Sequence, residues 1–283
     1  MTVLRAENTN SQRSRHATAI PINTWSRNLL SKVQCGFRKD HSTSDHLVRL
    51  ETFIKKALAR KKQVLAVFFF DLEKAYDTTW RFSVSKTTCV HFHRQRIYTE
   101  PALHLDGQPI PVKGEVKFLG VVFDSKLNFS SHVKYLKKRC LKALNLLRVV
   151  GHTDWGADRA TLLMLYRTLV RSKLDYGSIV YGSAKKHVLR ALDPIHHQGL
   201  RIALGALRTS PIKSLYADAG EPSLEHRRIK LAFNYVLKLK PLPRNPCHNV
   251  VFEAPLSDFS ADSKSEPILS PVLVSILRMP KST

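Results

Sequence analysis

Residues 64–77 read Val64-Leu65-Ala66-Val67-Phe68-Phe69-Phe70-Asp71-Leu72-Glu73-Lys74-Ala75-Tyr76-Asp77. An unbroken apolar run ends abruptly in a carboxylate. A short run of this kind, apolar on both faces and rich in Val and Phe, predicts a buried central strand over 63–70. Such a strand delivers its last carboxylate to a fixed place at the edge of a sheet. That is one way to hold Mg²⁺, which takes few carboxylates and shares them with substrate phosphates. The plainer reading is that Asp71 caps the turn after the strand, and spacing alone favours it.

Outward from this run the periodicity changes twice. Upstream, Leu47, Leu50, Phe53, Ile54, Ala57 and Leu58 give one apolar face to a helix over 45–60, with Asp45 or Ser44 expected to cap its start. Downstream, 88–94 alternates with Val90 and Phe92 on one face, and Asp106-Gly107 is a hairpin turn within 103–112. A further strand is expected over 116–123, so 64–124 is β-rich and suited to antiparallel pairing. After Asn128 the pattern turns helical. Helices are expected over 130–150, 157–174, 187–204 and 224–239, with a short one at 211–219. Residues 1–30 show no periodicity and read as a loose lead-in. The stretch 241–283 holds seven of the fourteen prolines, and little regular structure is expected there.

The chain has 283 residues, enough for one large domain or two small ones. Hydrophobic residues at 43% and charged residues at 24% exclude a wholly disordered chain, a collagen or a coiled-coil rod. Lys plus Arg number 46 against 22 for Asp plus Glu, a formal charge of +24. A chain this basic repels itself unless it meets a polyanion, with nucleic acid the first candidate and an anionic membrane surface the second. The four cysteines at 35, 89, 140 and 247 have neither zinc-finger nor redox spacing. They read as reduced thiols, which points to an intracellular protein of the nucleus or cytoplasm. The longest apolar run is too short to span a bilayer, and 1–30 lacks the apolar block of a signal peptide.

Several motifs together carry a resemblance. Gln34-Cys35-Gly36-Phe37-Arg38-Lys39 precedes Ser42-Thr43 and Asp45-His46-Leu47, and then comes the run ending Phe-Phe-Asp-Leu-Glu-Lys-Ala-Tyr-Asp. Phe82-Ser83-Val84-Ser85-Lys86-Thr87, Lys117-Phe118-Leu119-Gly120-Val121 and Leu174-Asp175-Tyr176-Gly177 follow in order. From about 30 to 239 the chain resembles the reverse transcriptase of non-LTR, jockey-like retrotransposons. The resemblance implies an RNA-directed DNA polymerase that uses Mg²⁺, deoxynucleoside triphosphates, an RNA template and a DNA primer. By position, Asp71 matches a metal-binding catalytic aspartate and Tyr76 the aromatic that screens the sugar 2′ position. Lys86 matches a lysine near the leaving pyrophosphate, and Arg38 lies in the fingers segment facing the triphosphate. His41 stands where the family usually has a second basic residue, a weaker and pH-dependent cation.

The pattern also departs from the family. Between Trp80-Arg81 and Phe82 the middle of the palm is missing, including the turn with two adjacent aspartates. Phosphoryl transfer needs metal ions on both attacking and leaving oxygens, and one aspartate cannot replace three. Tyr216-Ala217-Asp218-Ala219 is a decoy for that turn, since it has one aspartate and a helical context. The chain is therefore expected to be an α+β fragment. It comprises a loose segment 1–30, a fingers/palm remnant 31–128 with a small antiparallel sheet, a helical thumb-like domain 129–240 and a Pro-rich tail 241–283. The enzyme reading expects no activity from this chain as written. The alternative is a non-catalytic remnant that binds nucleic acid without sequence preference.

Lys134, Lys137, Lys138, Arg139, Lys142 and Arg148 decorate the 130–150 helix, which contains no acid. Charged helix faces are usually only solvated. The overall charge tilts this one toward phosphate contact, with Lys134, Lys137, Lys138, Arg139 and Lys142 as the binding residues. Cys89, His91 and His93 share one strand face, read as polar and exposed rather than zinc-binding. His196-His197 reads as helix surface.

Overall fold

The computed structural model describes residues 39–60, 62–68, 86–94, 102–105, 107–152 and 155–252, and the backbone alone at 72–73 and 81–82. The first helix, α1 (Thr43–Ala59), is capped by Ser42 rather than by Ser44 or Asp45; Asp45 stands at the third helical position, and its Oδ2 accepts the Ser42 N–H at 2.8 Å. Its apolar face buries Leu47, Val48, Ile54 and Leu58.

Among the described residues the strands form four antiparallel two-stranded ladders. β1 (Val64–Phe68) pairs with β4 (Thr88–Phe92) in the register Val64↔Phe92 and Phe68↔Thr88. Among the described residues β1 has that one neighbour, and its middle residues are half-buried rather than fully covered. β2 (Leu72–Glu73) pairs with β3 (Arg81–Phe82). β5 (His104–Leu105) and β6 (Gln108–Pro109) form the expected hairpin, with Gly107 at φ +74°.

The single strand expected over 116–123 is instead a hairpin of β7 (Glu115–Phe118) and β8 (Val121–Asp124). Leu119 and Gly120 both have positive φ, as a type I′ turn requires. The face formed by Cys89, His91 and His93, expected to be exposed, is buried. His91 Nε2 lies 2.8 Å from Gln63 Oε1, so this ring nitrogen meets a side chain rather than solvent.

The helical region begins with α2 (Ser130–Val150). A second long helix runs as α3 (Arg159–Tyr166), a π turn (Arg167–Arg171) and α4 (Ser172–Asp175). α5 (Ser178–Tyr181) and α6 (Lys186–Arg190) are short, and α7 (Asp193–Leu204) ends at Gly205 with φ +63°. The expected helix over 187–204 is thus two, because Asp193-Pro194 opens a new first turn, where proline fits and mid-helix proline does not. α8 (Ile212–Ala219) and α9 (Leu224–Leu239) follow.

Regular structure extends past Pro241. In α10 (Pro246–Phe252), the Asn245 side chain accepts the Cys247 N–H at 2.9 Å, an N-cap. Cys247 and Val251 are buried. The remainder of the Pro-rich stretch lies outside the described residues.

One apolar core passes from Leu47 in α1 through Phe92 and Phe123 to Leu144, Tyr166 and Leu200. Strands and helices therefore share a core across the 128/129 boundary. The fold is α+β. No helix among the described residues is long and apolar enough to cross a membrane.

Candidate nucleic-acid interface

α2 is built to show one side. Val133, Leu136, Cys140, Ala143, Leu144 and Leu147 are buried on its inner stripe, a 3.6-residue pattern facing the core. Lys134, Lys137, Lys138, Arg139 and Lys142 are all exposed. Lys134, Lys138 and Lys142 form an i,i+4 row, with Lys137 and Arg139 on either side of it. Like charges at this spacing repel, and the helix supplies no acid to relieve them.

Two residues outside that set complete the face. Lys117 of β7 donates from Nζ to Tyr135 Oη at 2.8 Å and lies 4.8 Å from the ring centroid. Arg139 donates to the same hydroxyl at 3.2 Å. The Lys117 hydrogen bond, with Arg139 nearby, holds the phenol below its ordinary pKa. The sequence signal for Tyr135 was available: an aromatic residue within a run of cations.

The hairpin that carries Lys117 is anchored from the second long helix. Tyr176 Oη donates to the Leu119 carbonyl at 2.6 Å. A Cβ on Gly120 would stand 3.0 Å from the Tyr176 ring. At the foot of the hairpin Asp124 accepts the N–H groups of Asn128 and Phe129 at 3.0 and 2.8 Å. Asp124 thus does at the end of β8 what the plainer reading assigns to Asp71 at the end of the 63–70 run.

Beneath the face, arginines and carboxylates tie the helices together. Glu221, almost fully buried, accepts from Arg167 Nε at 2.7 Å and from Arg171. Burial alone would raise the Glu221 carboxyl, but the hydrogen bonds from Arg171 and Arg167 outweigh it and hold the pKa low. Asp175 accepts a two-pronged contact from Arg227, with the shortest arm at 2.7 Å. His196 is buried rather than on the surface. Its Nε2 donates to the Pro222 carbonyl at 3.1 Å, and its Nδ1 takes the Tyr166 hydroxyl. Desolvation lowers its pKa to about 4.

Of the other residues named from sequence, Lys86 sits exposed in a turn before β4. Asp71, Tyr76 and Arg38 lie outside the described residues. Tyr216-Ala217-Asp218-Ala219 is in α8, a helix, as its context suggested. Among the described residues no group of three or more His, Cys, Asp or Glu is placed to hold a metal ion.

The chain is 34% identical over 103 residues to the Pol polyprotein of type-1 retrotransposable element R1 from Bradysia coprophila, covering 35% of this chain and 10% of that protein. It is 24% identical over 200 residues to the RNA-directed DNA polymerase of mobile element jockey from Drosophila melanogaster, covering 66% of this chain and 21% of that protein. These relatives are a Pol polyprotein and a polymerase of retrotransposable elements. A second R1 polyprotein, R1 4 from Nasonia vitripennis, is 27% identical over 118 residues, with 42% of this chain and 30% of that protein covered. The chain therefore spans a tenth to a third of the length of these relatives. No protein-family model and no solved structure matches it.

Proposed function

We propose that the chain is a fragment of a non-LTR, jockey-like retrotransposon reverse transcriptase. On this reading it keeps helices that hold nucleic acid and, as written, lacks part of the metal site that adds nucleotides. The one-sided basic face of α2 carries the reading, in a chain whose relatives are RNA-directed DNA polymerases. Residues 31–128 are then a reduced fingers and palm, and 129–240 a thumb-like domain. In the intact enzyme Asp71 would be a metal ligand, with Tyr76 and Arg38 at the incoming nucleotide and Lys86 near the leaving pyrophosphate. Mg²⁺ would there stabilise the charge that develops on the transferring phosphoryl group.

On this reading the paired aspartates are lost between Arg81 and Phe82, inside β3. Leu72 pairs with Phe82 and Glu73 with Arg81, the residues on either side of that junction. What remains is sequence-independent contact with the phosphate backbone, which is sensitive to salt.

Two assays on the full chain test this: primer extension on an RNA template with Mg²⁺, and anisotropy with an RNA–DNA hybrid. Wild type and Asp71→Asn should both fail to extend, and both should bind alike, with affinity falling as salt rises. Extension by wild type that Asp71→Asn abolishes would refute the incompleteness. Binding indifferent to salt would refute the reading as a whole. Sequencing the transcript across codons 80–82 tests the junction itself, which should be continuous.

A further inference from the structure

The geometry points to one phosphate-binding subsite, made jointly by Lys117, Tyr135 and Arg139, that clamps a single backbone phosphate of a nucleic acid between the β7–β8 hairpin and α2. This rests on the nucleic-acid reading above and adds to it a specific place and two residues, Lys117 and Tyr135, that are not among the named α2 cations.

Two cations converge on one neutral hydroxyl. Lys117 Nζ and an Arg139 terminal nitrogen are 2.8 and 3.2 Å from Tyr135 Oη. Both also lie over the ring, at 4.8 and 5.6 Å from its centroid. Each cation spends one donor on the hydroxyl and keeps the rest, since an ammonium has three and a guanidinium five. The phenol accepts twice and still has its own O–H to give. The outward side of the cluster therefore consists of donors.

Among the described residues no carboxylate neutralises it. Among the described residues neither Lys117 nor Arg139 has an ion pair. Glu115 shares the strand face two residues away and pairs with neither. His132, whose ring is 6.2 Å from that of Tyr135, has its pKa lowered to about 4 by burial and adds no charge near neutral pH. Elsewhere the same molecule pairs its converging arginines: Arg167 and Arg171 meet Glu221, and Arg227 meets Asp175. The unneutralised pair is the exception, and an anion of tetrahedral, multi-acceptor shape satisfies it.

The cluster is also held in advance. Tyr176 fixes the hairpin turn through the Leu119 carbonyl. Lys117 is thus presented by an anchored strand and Arg139 by a helix whose inner face is core. Little ordering remains to be done on binding.

The test is a salt series on the full chain with a short fluorescent B-form DNA duplex. Counterion release makes the slope of log K against log salt drop by about 0.9 for each phosphate that is no longer neutralised. The double variant Lys117→Gln/Arg139→Gln should lower the slope by about that single increment. Each single variant should lower it by less, because the remaining cation still neutralises the phosphate. Tyr135→Phe should weaken binding a few-fold with the slope unchanged, since it removes no charge. A drop of about twice the increment in the double variant would mean two independent phosphates and overturn the shared subsite, as would no drop.

Lys134→Gln/Lys138→Gln is the control. If it lowers the slope while the Lys117/Arg139 double does not, the subsite alone is refuted. If wild type itself shows no salt-dependent binding, the nucleic-acid reading falls with it. Inorganic phosphate added at constant ionic strength should not compete. Competition seen with wild type and abolished in the double variant would make this a free-anion site and overturn the backbone assignment. Unchanged thermal melting establishes that these exposed substitutions leave the fold intact.

Discussion

A Cβ on Gly177 would stand 2.7 Å from Val121 Cγ2, and the residue already sits at φ +68°. Both facts exclude a side chain there, because only glycine adopts this backbone without cost and the neighbour is part of the core. Gly177→Ala should lower the unfolding free energy by roughly 1–3 kcal/mol, read from urea denaturation. Two sequence segments meet at this point. The hairpin turn of Lys117-Phe118-Leu119-Gly120 rests on Tyr176-Gly177 of the Leu-Asp-Tyr-Gly segment. Each was visible in the sequence as a motif, but their contact was not, since nothing local in either records a partner nearly sixty residues away. The same holds for Asp45. Its place at the start of α1 was legible, whereas its burial against Tyr235 and Asn245 was not.

At the scale of elements, the π turn at Arg167–Arg171 widens the second long helix. The wider turn brings residues four apart closer to eclipse, and both guanidiniums reach Glu221. Glu221→Gln would leave the partly buried Arg171 with only the longer contact to Asp175, at 3.8 Å, as counter-charge. The expected loss is about 3 kcal/mol, the low end for breaking a buried ion pair, measured by the urea midpoint. Long periodic elements were the legible ones: 130–150 and 224–239 match their helices closely. Elements interrupted by atypical residues were misread. The β7–β8 turn carries Leu119 where Asn or Asp is usual, so an apolar run concealed it. Proline density suggested disorder beyond 241, yet Asn245-Pro246 is a cap followed by a proline at the first helical position.

Across the molecule, burial of neutral imidazoles sets the response to acid. His132 and His196 have pKa values lowered to about 4 by desolvation, against 6.5 in the unfolded chain. Between these values the unfolded chain binds more protons, so stability must fall as pH drops from about 6.5 to about 4. The loss is of order 3 kcal/mol for each residue at the bottom of that window, added to the self-repulsion of a chain already at +24. A series of urea midpoints across the window checks this, and a constant midpoint would contradict it. From sequence His196 looked like surface, because helical periodicity says which face an apolar residue takes but not that a histidine will find Tyr166 and Pro222 inside.

The earliest and latest described helices are fastened to each other. Asp45 takes hydrogen bonds from Tyr235 and from Asn245, 190 and 200 residues further along, and Cys247 Sγ reaches the Asp45 carbonyl. A ribosome adds about 5–20 residues per second. Between the emergence of Asp45 and that of Asn245 lie on the order of ten to forty seconds. For that interval the carboxylate has Ser42 as its partner and none of the C-terminal ones. The amphipathic α1 is therefore among the first elements made and among the last to be locked in place.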